Sequence, residues 1–305
     1  RDVLGSRGLG DVYKRQVKRM RGNFNMYKMI VCDLDETLMN DDGTLSEKNA
    51  AAIQAAAAKG VYFVPNSGRS YTSFQNDLET MGLRDQPHQY SISYNGGLIL
   101  ENKDNRPLAV NAMPYEVAKG VFEAGIANQQ AATHVYTQDT LYIYNPVPSD
   151  SDYLQNRGVT FTTMTTPDFE QFKTMNVMKI IMALPTMTDR KQMRADVEAI
   201  VDPSKLAVTY SSDRYVEFNP AGVDKGTAAV QLGKLLGITA DEIIAAGDNS
   251  NDLPMLKAVG LPVSVANGID AVKAAAKYVT VADNNHDALA AVSYTHLTLP
   301  TTERV

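Results

Sequence analysis

The sequence predicts an α/β protein: a doubly wound, Rossmann-like parallel sheet with an α+β domain inserted into it. Three observations lead there. From Met26 onward short β-rich runs alternate with helical segments, most of these runs end in a polar tip, and the alternation breaks near Met113 and resumes near Gly222. Alternating strand and helix signals a parallel sheet built from crossover units. Tips that follow their strands gather at the carboxyl edge, where such sheets bind ligands.

The elements follow in order. "MIVCDLD" is short and apolar, as suits a strand covered on both faces. "DDGT" is a turn, Ser46 is placed to cap the helix "SEKNAAAIQAAAAKG", and Gly60 closes it. "VYFVPNSGR" reads as strand plus tip, "SYTSFQNDLETMG" as helix, and "QYSISYNGG" as strand plus turn. Past Met113, "PYEVAKGVFEAGIANQ" is a helix opened by Pro114 and "THVYTQDTLYIYN" a tyrosine-rich hairpin. "PDFEQFKTM", "VMKIIMAL", "DRKQMRADVEAIV", "LAVTYSS" and "RYVEFNP" then read as helix, strand, helix, strand and strand, the adjacent strands marking a mixed domain. The first rhythm returns with "GVDKGTAAVQLGKLLGI", "EIIAAGDNSND", "LPMLKAVG" and "LPVSVANG". The expected division is core at 26–112, inserted domain at 113–218 and core again at 219–293. Tyr136, Tyr142 and Tyr144 either line a ligand cleft or pack within the hairpin, as period-two aromatics commonly do.

Composition narrows the function classes. The 305 residues suffice for one large or two modest domains. With 44% apolar and 21% charged residues the composition is that of an ordinary soluble protein. A net charge of −6 argues against a general nucleic-acid binder. The single cysteine, Cys32, forbids an internal disulfide and suits a reducing compartment, so a cytoplasmic location is expected. Lying inside an apolar run, Cys32 is expected to be a plain buried side chain. No apolar stretch approaches the roughly 20 residues of a membrane span, and no membrane partner or signal peptide is expected. The ends, 1–25 and 294–305, lack a hydrophobic period and resemble adapter read-through; they are expected to be non-native, with Met26 as the natural start. A transit peptide or a basic arm is the other reading of the first segment.

Four tips carry the chemistry: Asp33, Asp35 and Thr37; Ser67, Gly68 and Arg69; Lys225; and Asp248, Asn249, Asn251 and Asp252. Residues two apart on a strand lie roughly 6.6 Å apart on one face. Two such charges repel by about 2–3 kcal/mol at an effective dielectric of about 20. A hard divalent cation relieves the repulsion, and Mg²⁺ suits a site of few carboxylates, water and phosphate. The four scattered histidines offer no zinc site. Hydroxyl, backbone and lysine donors beside a free carboxylate make a phosphoryl-transfer site, with a second carboxyl as proton donor and acceptor. Each piece alone is weak: "SGR" is a common turn, a lone lysine at a helix start is usually surface, and "GDNSND" can be a chain of Asx turns. Their order on successive tips is the specific signal.

That ordered set resembles the haloacid dehalogenase superfamily, and within it the Cof-like phosphatases with an inserted α+β cap. The likeness is carried by "MYKMIVCDLDETL", "NSGR", "YNGGLI", "FNPAGVDKG", "GDNSNDLPML" and "VTVADNNHDAL". It implies a Mg²⁺-dependent phosphatase hydrolysing small phosphorylated metabolites such as sugar phosphates. By that likeness Asp33 would form an aspartyl-phosphate and Asp35 would be the general acid and base. Ser67, Gly68, Lys225 and Asn251 would bind the phosphoryl group. Asp33, Asp248 and the backbone carbonyl of Asp35 would ligate the metal, supported by Asp252, with Thr37 and Arg69 nearby. The chain departs from the common pattern at Glu36, where glycine is usual, at Asn66 and Ser70, and in "VSVANG" and "NNHDAL".

Three other readings share some of these features. A phosphomutase or a dedicated biosynthetic phosphatase uses the same site. A phospho-accepting signalling receiver also has an acidic magnesium pocket, but carries its phospho-acceptor on a middle strand and has no inserted domain of about 100 residues. A binding protein that has lost turnover conflicts with the intact Asp33, Asp35, Lys225 and Asp248. A nicotinamide dehydrogenase is excluded, since no G-x-G-x-x-G follows the first strand.

Overall fold

The computed structural model describes residues 27–290 and 292, so the expectations for the two ends of the chain lie outside the described residues. β1 (Met29–Cys32) is buried at every position and pairs in parallel with β2 (Tyr62–Pro65). On its other side it meets β12 (Ile243–Gly247), followed by β13 (Leu261–Ser264) and the short β14 (Tyr278–Val279). The order β14-β13-β12-β1-β2 places β1 between the two strands whose tips carry the other polar groups. Successive residues of β1 enter opposite cores: Ile30 and Cys32 join one cluster, Met29 and Val31 the other. Helices cover both: Glu47–Ala58 and Gln75–Met81 on one face, Lys225–Leu235 and Leu253–Ala258 on the other. A run buried on both faces is the strand signature of a doubly wound sheet.

Local signals hold where they were specific. Ser46 Oγ accepts the Asn49 N–H at 3.1 Å, and Gly60 takes φ +77° just past the helix end. Cys32 is fully buried. "SYTSFQNDLETMG" is a 3₁₀ turn (Tyr71–Phe74) running into the helix Gln75–Met81.

The third strand departs from expectation. β3 (Tyr90–Ser93) touches the parallel sheet by one bridge, Asn66 to Ile92, and turns back antiparallel onto β4 (Leu98–Glu101), which pairs with β5 (Arg106–Val110). Tyr94 and Asn95 in the left-handed region, with Gly96 at φ +104°, reverse the chain. The sequence reading assigned neither β4 nor β5.

A six-stranded sheet follows, ordered β10-β11-β9-β6-β7-β8. Its strands are β6 (Ala132–Thr137), β7 (Leu141–Tyr144), β8 (Thr162–Met164), β9 (Val177–Ala183), β10 (Leu206–Ser211) and β11 (Tyr215–Pro220). Only β7 and β8 pair in parallel. Helices Tyr115–Ala127 and Met187–Glu198 join the cluster on one face of this sheet, where Val135, Ile180 and Phe218 point. The expected helix in "PDFEQFKTM" is only the 3₁₀ turn Glu170–Phe172, with the tilted rings of Phe169 and Phe172 5.0 Å apart. Helix Pro148–Gln155 and β8 went unassigned in the sequence. Tyr142 packs against Phe172 and Tyr144 joins the same cluster, so both belong to packing. Tyr136 lies on the opposite face. Among the described residues no helix is long and apolar enough to cross a membrane.

Candidate active site

Adjacent parallel strands in register bring their tips together. Asp33 follows β1 and donates its N–H to the Ala246 carbonyl of β12 at 3.0 Å, so Asp248, just past β12, stands beside it. Carboxylate oxygens of Asp33, Asp248 and Asp252 lie within 4.8 Å of one another, and all three residues are buried. Asp252 reaches this cluster by folding back: its Oδ2 accepts the N–H groups of Asp248 and Asn249, each at 3.0 Å. Gly247 makes room for it, because a Cβ there would meet that side chain at 2.5 Å.

Among the described residues one cation faces the cluster. Asp224 caps the helix Lys225–Leu235, accepting the N–H groups of Gly226 and Thr227 at 2.8 Å, and so fixes Lys225 as its first residue. Lys225 Nζ, completely buried, donates to Asp33 and, at 2.7 Å, to Asp252. Asn66, in place of a small residue, donates to the Lys225 carbonyl at 3.0 Å and ties the second tip to this helix.

Three carboxylates around one ammonium leave two negative charges uncompensated when all are ionised. Burial pushes the Asp33 carboxyl up, against the pull of Lys225. Asp248 is pushed up to about 6, chiefly by burial, with Asp252 and Glu36 adding repulsion and the Thr37 hydroxyl, donating at 2.6 Å, opposing it. For Lys225 the two carboxylates outweigh burial and hold it above the ordinary lysine range.

The remaining residues sit around this centre. The Asp35 carboxylate is 61% exposed, outside the cluster, in an ion pair of 3.3 Å with Arg69 Nε. Arg69 donates its other end to Asp77 at 2.7 Å. Of the carboxylates in the expected metal set, Asp33 and Asp248 therefore meet; Asp35 entered that set through its main-chain carbonyl. Ser67 is buried, with its Oγ accepting the Arg69 N–H at 3.1 Å. A Cβ on Gly68 would touch the Asn95 amide at 3.0 Å. Asn251 is exposed and reaches Asn95 Oδ1 at 3.4 Å.

Several participants escaped the sequence reading. Asn95, left-handed at φ +53°, joins the second tip to the fourth; the "NGG" turn was its signal. Asn267, in "VSVANG", donates to the Glu36 carbonyl at 2.7 Å, and Asn284, in "NNHDAL", to the Met39 carbonyl at 3.0 Å, so the departing motifs brace the first tip. Glu36 has φ +60°, a conformation that glycine adopts freely, which accounts for glycine being usual there. Lys179 and Glu217, one charge in each of two apolar runs, form a buried pair at 3.0 Å, and Lys179 Nζ also approaches the Gly68 carbonyl at 3.4 Å. A lone charge inside a buried strand was the available signal.

A carboxyl-edge site of this make-up agrees with what the chain resembles. The sequence profile of the haloacid dehalogenase-like hydrolases matches residues 30–292. YxeH of Bacillus subtilis is 28% identical over 265 residues, 86% of this chain and 95% of the relative. YcsE of the same organism, a 5-amino-6-(5-phospho-D-ribitylamino)uracil phosphatase, is 26% identical, with 83% of this chain and 89% of the relative covered. The crystal structure of a haloacid dehalogenase-like hydrolase from Bacteroides thetaiotaomicron superposes with a TM-score of 0.77 at 26% identity, over 88% of this chain and 98% of that one. With a family match across most of its length and the sheet and edge described above, the chain belongs to the haloacid dehalogenase-like hydrolases, as one of their Cof-like phosphatases.

Proposed function

We propose that the protein hydrolyses small phosphorylated metabolites, sugar phosphates among them, in a Mg²⁺-dependent reaction through an aspartyl-phosphate at Asp33. The observation that carries the reading is the buried cluster of three carboxylates around a single lysine at the sheet's carboxyl edge. Two uncompensated charges and an all-oxygen donor set fit a hard dication. Asp33 and Asp248, with the Asp35 carbonyl, would hold it. Asp252 supports them, since both its oxygens already accept hydrogen bonds. When bound, the ion offsets charge on the phosphoryl oxygens.

This chain's residues then divide the work. The Ser67 hydroxyl, the Gly68 backbone, Lys225 and Asn251 orient the phosphoryl group. The Asp33 carboxylate attacks phosphorus as the P–O bond to the leaving group breaks, and Asp35 gives its proton to the departing oxygen. Asp35 next takes a proton from water, which attacks the phosphorus, releases phosphate and restores Asp33. Arg69 holds Asp35 at the rim until substrate arrives, and Thr37 holds Asp248. We assign the core to residues 26–112 and 219–293, and to 113–218 the role of a cap that closes the cleft. The Lys179 contact with Gly68 and the Tyr94 hydroxyl on the Thr137 carbonyl, at 3.1 Å, support a cap seated on the core. The ribityl phosphate in the name of the relative YcsE supports a phosphorylated polyol or sugar as substrate.

Phosphate release from a panel of phosphorylated metabolites, with Mg²⁺ and with EDTA, tests the reading. Release is expected only with the metal and is expected to be lost in Asp33→Asn. No release from any ester, or full activity in Asp33→Asn, would overturn it.

A further inference from the structure

Among the described residues three cations touch the site, and each is already paired. Lys225 faces Asp33 and Asp252. Arg69 faces Asp35 and Asp77. Lys179, on β9 of the six-stranded sheet, faces Glu217 on β11 at 3.0 Å. Period two puts Lys179 and Glu217 on one face of that sheet, together with Tyr136, whose ring lies 5.1 Å from Lys179 Nζ. Both members of the pair are more than nine-tenths buried. Lys179 Nζ also lies 3.4 Å from the carbonyl of Gly68, in the loop assigned above to the phosphoryl group.

The chemistry of the pair is that of a neutral polar contact. Glu217 uses both oxygens, one on Lys179 and one on the Ser211 hydroxyl. Burial raises its carboxyl, but Lys179 and Ser211 together hold it below the ordinary range, so it stays ionised. Lys179 has three donors, of which one goes to Glu217 and one points at Gly68. It can still donate to a hydroxyl, but its charge is compensated. An anion brought to Lys179 also meets the Glu217 carboxylate that pairs with it at 3.0 Å, and like charges brought together in a buried site are strongly disfavoured.

Resting on the phosphatase reading above, we propose that the protein selects monophosphate esters of neutral, hydroxylated leaving groups and rejects esters carrying a second anion, with Lys179 and Glu217 as the specificity-determining pair. The pair bears on the leaving group alone; the phosphoryl chemistry stays with the four tips.

The test is kcat/KM of the full chain with Mg²⁺ for matched sugar monophosphates and bisphosphates, with an aryl phosphate as a general substrate. The wild type is expected to favour the monophosphate by at least about tenfold. Glu217→Gln frees the charge of Lys179 and is expected to raise the bisphosphate-to-monophosphate ratio about tenfold. Lys179→Met leaves Glu217 unpaired; it is expected to lower that ratio further and to raise KM for the monophosphate more than it lowers kcat. This second variant decides the matter if Glu217→Gln does not fold. Equal use of both esters by the wild type, or a ratio unmoved by substitution, overturns the inference while the phosphatase reading stands. If neither these esters nor the aryl phosphate is hydrolysed, both fail together.

Discussion

Replacing Lys225 with methionine removes its ammonium from the carboxylate cluster and leaves its volume nearly filled. Two unit charges at the 4.8 Å limit of the cluster repel by about 3.5 kcal/mol at an effective dielectric of about 20. The variant has a cheaper escape, which is to keep a proton on one carboxylate. Holding a carboxyl of ordinary pKa about 3.9 protonated costs about 1.4 kcal/mol per pH unit, hence about 4 kcal/mol at pH 7 and about 1.5 kcal/mol at pH 5. The smaller of the two costs applies at each pH. The expected loss of stability is therefore about 3.5 kcal/mol at pH 7 and about 1.5 kcal/mol at pH 5. The sign follows from linkage: the folded variant keeps a proton that the unfolded chain releases above about pH 4, so the penalty grows as pH rises. Urea unfolding of wild type and variant in EDTA at the two pH values measures it. Equal losses at both, or a loss under about 1 kcal/mol at pH 7, would refute a cluster governed by charge.

Three further outcomes follow from the same geometry. Gly247→Ala is expected to cost about 1–3 kcal/mol in thermal unfolding, because the new Cβ displaces the Asp252 side chain from 2.5 Å away; a neutral effect would show that the fold-back is not required. Glu36→Gly is expected to stabilise the protein by about 0.5–1 kcal/mol, since φ +60° is strained for glutamate, and to lower the Asp248 carboxyl by removing a neighbouring charge; thermal unfolding and a carboxyl titration followed by NMR check the two effects. With Asp248 as a metal ligand, as proposed, Mg²⁺ binding would need its carboxyl ionised; with that carboxyl at about 6 the half-saturating Mg²⁺ concentration is expected to rise about fourfold between pH 7.5 and 5.5 by calorimetry, and a pH-independent affinity would count against Asp248 as a ligand. In the metal-free protein the same elevated value makes Asp248 cost folding stability as pH rises from about 4 through about 6.

By itself the sequence determined the local pieces: an apolar run before Asp33, caps such as Ser46 and Gly60, and polar tips after "MIVC", "VYFVP" and "EIIAAG". These depend on residue period and turn chemistry, which act over a few neighbours. The membership of β3 was decided by tertiary structure, because pairing with β4, reached through left-handed backbone at Tyr94 and Asn95, outweighs a single bridge to the parallel sheet. Glu36 illustrates the same limit: its charge was visible, but its left-handed backbone and the hydrogen bond from Asn267, 231 residues away, were not. Charge pairing was the least legible of all. Asp252 stands in the buried carboxylate cluster, yet its partner Lys225 and its fold-back onto Asp248 depend on which strands lie side by side. Lys179 reaches Gly68 across 111 residues because two separate sheets meet there, and no local pattern encodes that distance.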